Sequence, residues 1–131
     1  MKRALINYIQ HEKYDEIYTP EYAVLPLLKY IPKEITIWEC TDYGSSNITK
    51  VLNDNGYNVI STHKKFFNFL IDDANFDFDM IITNPPYSLK DDFLERCYKY
   101  NKPFCMLLPI TTLEGKRRGK MFREYEKYTR Y

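Results

Sequence analysis

Four short apolar runs, "EITIWECT" (34–41), "YNVIST" (57–62), "FDMIIT" (78–83) and "PFCMLLPI" (103–110), set the rhythm of the chain. β-Branched and aromatic residues fill them, which favours strands. Between them lie stretches whose apolar residues recur at helical spacing. "YTPEYAVLPLLKYI" (18–31) has Thr19 as a candidate N-cap, Pro20 at the first helical position and Glu21 in the first turn, with Pro26 set to interrupt the helix. Ile48, Val51 and Leu52 form a second apolar stripe, stopped at Asn55 and Gly56. Ser88 and Asp91 read as a Ser-x-x-Asp cap for a third helix that buries Phe93, Leu94, Cys97 and Tyr98. "FFNFL" (66–70) adds a short further strand. The series β-α-β-(β)-β-α-β predicts an α/β fold with a parallel sheet of about five strands and helices on both faces. The third of the long runs, 78–83, is apolar enough to be buried on both sides.

The length of 131 residues suits a single domain, residues 1–131. With 44% hydrophobic and 28% charged residues the composition is that of an ordinary globular chain. Its net charge of +1 carries no global nucleic-acid signature, but the charges are segregated. Asp72, Asp73, Asp77, Asp79, Asp91, Asp92 and Glu95 cluster in one region, whereas Lys116, Arg117, Arg118, Lys120, Arg123, Lys127 and Arg130 gather near the end. The basic run reads either as a solvated helix face or as a patch that contacts phosphate, with Lys116, Arg117 and Arg118 as its centre. The thirteen Tyr residues likewise suit a core or the stacking of bases. Cys40, Cys97 and Cys105 are odd in number and lack a Cys-x-x-Cys pair, so neither a disulfide framework nor a metal site is expected. The opening residues resemble no signal peptide or membrane span, so an intracellular, cytoplasmic protein with no membrane contact is expected.

In open parallel sheets ligands bind beyond the carboxyl ends of the strands. The loops "ECTDYGSS" (39–46), "STHKK" (61–65), "TNPPYS" (83–88) and "PITTLEG" (109–115) would share that edge. Pro-Pro after a buried strand can simply end it and turn the chain. It can also hold acceptors rigidly: the Asn84 side-chain oxygen and the Pro85 carbonyl could both accept from an exocyclic amine, making its nitrogen more nucleophilic. Pro86 stiffens the same turn, and Tyr87 could stack on a base removed from its duplex.

Asn84-Pro-Pro-Tyr87 at the end of this strand resembles the signature of the N6-adenine amino-methyltransferases, which is Asp or Asn-Pro-Pro-Tyr or Phe after the fourth strand. "YTPEYAVLPLL" is similar to that family's segment before its first strand, and "LLPITTLEGKRRG" resembles small phage-borne members. The resemblance implies a Rossmann-like methyltransferase fold, truncated before the sixth and seventh strands, with S-adenosylmethionine as cofactor. It implies Asn84, Pro85, Pro86 and Tyr87 as catalytic residues. Glu39, Thr41, Tyr43, Gly44, His63, Asn68 and Phe69 fall where the family binds its cofactor. The match is uneven there. Tyr43 and Ser45 stand at two glycine positions with Gly44 between them, His63 replaces the acid that holds the ribose, and Asn68-Phe69 replaces Asp-Phe.

Three functions follow, the third being a plain subunit that needs a separate partner for substrate recognition. The first is S-adenosylmethionine-dependent methylation of adenine N6 in nucleic acid, DNA rather than RNA. The second is a non-catalytic phage-encoded binder that uses the same fold to inhibit a host defence system, as anti-restriction and anti-CRISPR proteins do. A sheet that ends early exposes an edge, where a host protein or a second copy is the expected partner.

Overall fold

The computed structural model of the protein describes residues 19–44 and 46–107, together with Lys120, Arg123 and Glu124. A short helix α1, Glu21–Val24, passes into a 3-10 segment, Leu25–Tyr30, at the point where Pro26 removes a backbone donor. Strand β1, Thr36–Asp42, leads to helix α2, Asn47–Asp54, and strand β2, Asn58–His63. After a long loop come β3, Met80–Thr83, a 3-10 turn at Tyr87–Leu89, helix α3, Lys90–Tyr100, and β4, Phe104–Met106.

The four strands form one sheet in the order β2-β1-β3-β4, and every pairing is parallel. Two apolar clusters divide by face. Trp38 and Ile81 point to the side covered by Leu89, Phe93 and Cys97 from the α3 region. Ile37 and Ile82, one residue away in each strand, point to the side covered by Val24 of α1 and by Ile48, Val51 and Leu52 of α2. This period-two division puts helices on both faces of an α/β sheet, an arrangement compatible with a Rossmann-like fold. β1 lies between β2 and β3, so the chain steps to one side of β1 and then to the other. The carboxyl ends of β1 and β3, where the order reverses, are the place at which such sheets take ligands.

Four local expectations differ from the structure. "FFNFL" is no strand: Asn68 accepts from Leu70 N through Oδ1 at 2.9 Å, and Ile71 N and Asp72 N bond to the Asn68 carbonyl, closing turns in its place. Phe69 is thereby drawn into the core, and the described residues hold four strands. Ser88 does not start the third helix. It lies in the 3-10 turn, and no side-chain hydrogen bond caps α3 at Leu89. Thr19 is not a cap either; Pro20 occupies that place, and the Thr19 hydroxyl is engaged elsewhere. The final strand is shorter than 103–110, and residues 108–110 lie outside the described ones.

Much of the aromatic surplus has a packing role. Phe67, Phe69, Phe76, Phe78 and Tyr100 surround Trp38 with centroid distances of 4.9 to 5.5 Å, mostly edge-to-face. Its indole nitrogen donates to Thr62 Oγ1 at 3.0 Å. No helix among the described residues is long and apolar enough to cross a membrane. Trp38→Ala empties the centre of this cage and is expected to lower stability by about 3–5 kcal/mol. Urea unfolding measures it, and a loss below about 1 kcal/mol would contradict a packed cage at this position.

Candidate functional site

The carboxyl end of β1 is irregular. Glu39 pairs with Ser61 and Asp42 with His63, so three steps along β1 match two along β2. The extra residue is a bulge, a feature that redirects side chains at strand ends. Here the Thr41 amide turns back to donate to Glu39 Oε1 at 2.8 Å.

Glu39 is only 2% exposed, and both its oxygens accept hydrogen bonds inside the fold. Oε1 receives the Thr41 amide, Thr41 Oγ1 at 3.0 Å and Thr83 Oγ1 at 2.8 Å. Oε2 receives Ser46 Oγ at 2.7 Å. Ser46 is also the N-cap of α2, accepting from Thr49 N. One carboxylate thus joins β1, β3 and the start of α2. Burial pushes the Glu39 carboxyl above its usual range, against the opposing effect of the donors from Thr41, Ser46 and Thr83. Thr41 and Thr83 hydroxyls lie 2.6 Å apart, and the Asn84 carbonyl lies 3.4 Å from Thr41 Oγ1, so the one Thr41 hydroxyl proton is shared among Glu39, Thr83 and that carbonyl as alternative acceptors. Glu39, Thr41 and Asn84 therefore form one connected group.

The Asn84-Pro-Pro-Tyr segment leaves the carboxyl end of β3. Asn84 Nδ2 donates to Thr19 Oγ1 at 2.8 Å, and the Thr19 carbonyl accepts from Asn47 Nδ2 at 2.7 Å. Pro85 is buried, while Pro86 is extended, with φ −56° and ψ 128°, and its carbonyl accepts from Leu89 N at 3.0 Å. Tyr87 is half-buried in the 3-10 turn, its carbonyl accepting from Lys90 Nζ at 3.2 Å.

Asp42 organises the loop after β1. Its Oδ1 accepts from Gly44 N at 2.8 Å and Ser46 N at 3.3 Å, and its Oδ2 from Thr49 Oγ1 at 3.1 Å. Gly44 has φ +102°, a conformation that L side chains rarely adopt. A Cβ there would lie 3.8 Å from His63 Nε2, so this loop and the end of β2 are close neighbours. His63 Nδ1 accepts from Lys65 N at 3.1 Å, and Lys64 Nζ lies 5.4 Å from the centre of the Tyr43 ring. Phe66, 86% exposed, sits beside His63. Asn68 is nearly buried, and among the described residues its Nδ2 has no acceptor. Phe69 belongs to the Trp38 core, stacked on Phe93 with centroids 5.1 Å apart.

Glu39, Thr41 and Asn84 are thus linked, Gly44 and His63 are adjacent, Tyr43 meets Lys64, and Phe69 stands apart in the core. Lys116, Arg117 and Arg118 lie outside the described residues. Asp42, Ser46 and Thr83 lie in loops expected at this edge but were not singled out within them, and Thr19 and Asn47 were not expected there. An Asp-x-Gly-x-Ser spacing that closes a local turn is the one signal that could have found two of them. Among the described residues, no group of three or more His, Cys, Asp or Glu is placed to hold a metal ion.

Because the folded state raises the Glu39 pKa, the folded chain holds that proton more tightly than the unfolded chain. Its contribution to stability therefore falls as pH rises from the ordinary carboxyl range through the folded value. Glu39→Gln, which does not titrate, should lack this decline in urea unfolding measured across that window. Identical pH profiles for the two proteins would contradict the assignment.

Comparison with protein-family models, with curated proteins and with solved structures returned no match.

Proposed function

We propose that this chain is an amino-methyltransferase-like protein that acts on adenine N6 in nucleic acid, DNA rather than RNA, with S-adenosylmethionine as methyl donor. The observation that carries the reading is the placement of Asn84-Pro-Pro-Tyr87 at the end of β3, beside the switch between β1 and β3, with the Asn84 side chain donating to Thr19. Adenine's amino lone pair is delocalised into the ring, so a site that methylates it must favour a pyramidal nitrogen. Acceptors on its two N–H groups do this as positive charge develops there. In this reading the Asn84 side-chain oxygen and the Pro85 carbonyl are those acceptors. The prolines limit how far they move, and Tyr87 stacks on the extruded base.

When bound, S-adenosylmethionine supplies a methyl group from its sulfonium to the amine, which then releases one proton to water. Two features of the chain fit the adenosine part of such a donor. Asn68 Nδ2 is a buried donor with no acceptor among the described residues, matching a ring nitrogen. Gly44 offers backbone without a side chain next to His63 Nε2. Asn68, Gly44 and His63 are the residues assigned to hold it, and Glu39 shapes the loop from within. A second reading, a binder that keeps the base pocket without transferring methyl groups, draws support from the Glu39 carboxylate. Both its oxygens are engaged inside the fold rather than turned toward a ligand.

Calorimetric titration separates the two. S-adenosylmethionine is expected to bind in the micromolar range, with Asn68→Ala weakening it about fivefold, the effect of one hydrogen bond. Absence of binding at millimolar ligand would remove the transferase reading and leave the binder.

A further inference from the structure

We infer that the turn after β2, with Phe66 as its stacking face and Lys65 as its charge, binds an unpaired stretch of DNA; this rests on the nucleic-acid part of the reading above and holds for a transferase and a binder alike. At 86% exposed, Phe66 is the most exposed large hydrophobic residue among the described ones. Its backbone is closely tied. Phe66 N and Phe67 N both donate to the His63 carbonyl, at 2.9 and 3.0 Å, and Lys65 N donates to His63 Nδ1 at 3.1 Å. Phe67 packs edge-on against Trp38 with centroids 5.5 Å apart, which pins the inner side of the turn to the core. Phe67 is turned in and Phe66 is turned out, with the His63 ring beside it at 5.3 Å and inclined at 53°.

Charge favours DNA over an apolar protein partner here. Residues 61–66 hold His63, Lys64 and Lys65 and no acid, and Lys65 is exposed. Lys64 is nearly buried, its ammonium 5.4 Å from the centre of the Tyr43 ring, so its charge stays at the turn. Asp42, opposite His63 in the pairing of β1 with β2, has both carboxylate oxygens engaged by Gly44, Ser46 and Thr49. An aromatic face beside a positive charge suits the base and the phosphate of one nucleotide. Bases in a duplex are already stacked on each other, so this face takes an unpaired one. β2 and β3 flank β1, which puts their carboxyl ends two strand spacings apart, on the order of 10 Å. A strand that gives its adenine to the Asn84 motif therefore passes near Phe66. Neither Phe66 nor Lys65 is among the residues assigned to the methyl donor.

Fluorescence anisotropy of the full chain, without S-adenosylmethionine, compares a labelled single-stranded oligodeoxynucleotide with its duplex. Wild-type protein is expected to favour the single strand. Phe66→Ala should weaken single-strand binding about fivefold or more, the lower end of the effect of one stacked base, and leave duplex binding unchanged. Phe66→Trp keeps a flat ring and should retain the affinity, whereas Phe66→Leu, apolar without a ring, should behave like Phe66→Ala. Lys65→Gln should make the slope of log affinity against log salt shallower by about 0.7, one phosphate on a single strand. Both side chains are exposed, so urea unfolding midpoints should not move. Single-strand binding unchanged in Phe66→Ala would overturn the inference alone, even if that variant bound S-adenosylmethionine less well. Full affinity in Phe66→Leu, an unchanged salt slope in Lys65→Gln, or a wild-type preference for duplex would contradict it as well. Wild-type protein that binds neither form of DNA would overturn the nucleic-acid reading, and this inference with it.

Discussion

The buried carboxylate of Glu39 is the contact on which the site depends. An ionised group this far from water is costly unless donors surround it. The chain supplies them from three places: the Thr41 amide and hydroxyl in the same strand, Thr83 across the sheet, and Ser46 at the start of α2. Glu39 therefore fixes the end of β1 against the end of β3 and sets where α2 begins. The Asn84 motif starts one residue after Thr83, so its position follows from the same carboxylate.

Two further features shape that edge. The bulge after Glu39 lets the Thr41 amide fold back, and Asp42 then shapes the following loop through Gly44 and Ser46. On the opposite face, Trp38 and its aromatic neighbours anchor the segment between β2 and β3, which carries Asn68. Arg96 of α3 ties the same segment, donating to the Phe69 carbonyl at 3.0 Å and the Asp72 carbonyl at 2.8 Å. A rigid sheet thus carries loops whose shape is set by short-range polar contacts, the usual division between scaffold and site.

The sheet was legible because β-branched runs separated by helical spacing leave few alternatives, and the four paired strands overlap the four longest runs. "FFNFL" misled because apolar content alone does not make a strand; the Asn68 side chain and carbonyl accept the turn bonds that replace a ladder. The helix starts misled for a related reason. Thr19 and Ser88 are good caps in isolation, but Asn84 takes the Thr19 hydroxyl from a distant part of the chain, and a 3-10 turn includes Ser88. The motif itself was readable as four consecutive residues after a buried run. Its supports were not, because Thr83 lies 44 positions from Glu39 and Thr19 lies 65 from Asn84, and no local pattern links them.

In the proposed function, Asn84 receives the amino group of adenine for methyl transfer. Incubation of the full chain with unmethylated DNA and S-adenosylmethionine, followed by mass spectrometry of the released nucleosides, tests it most directly. N6-methyladenine should accumulate with wild-type protein and fall to background with Asn84→Ala. No N6-methyladenine from folded wild-type protein, or an equal yield from Asn84→Ala, would contradict it.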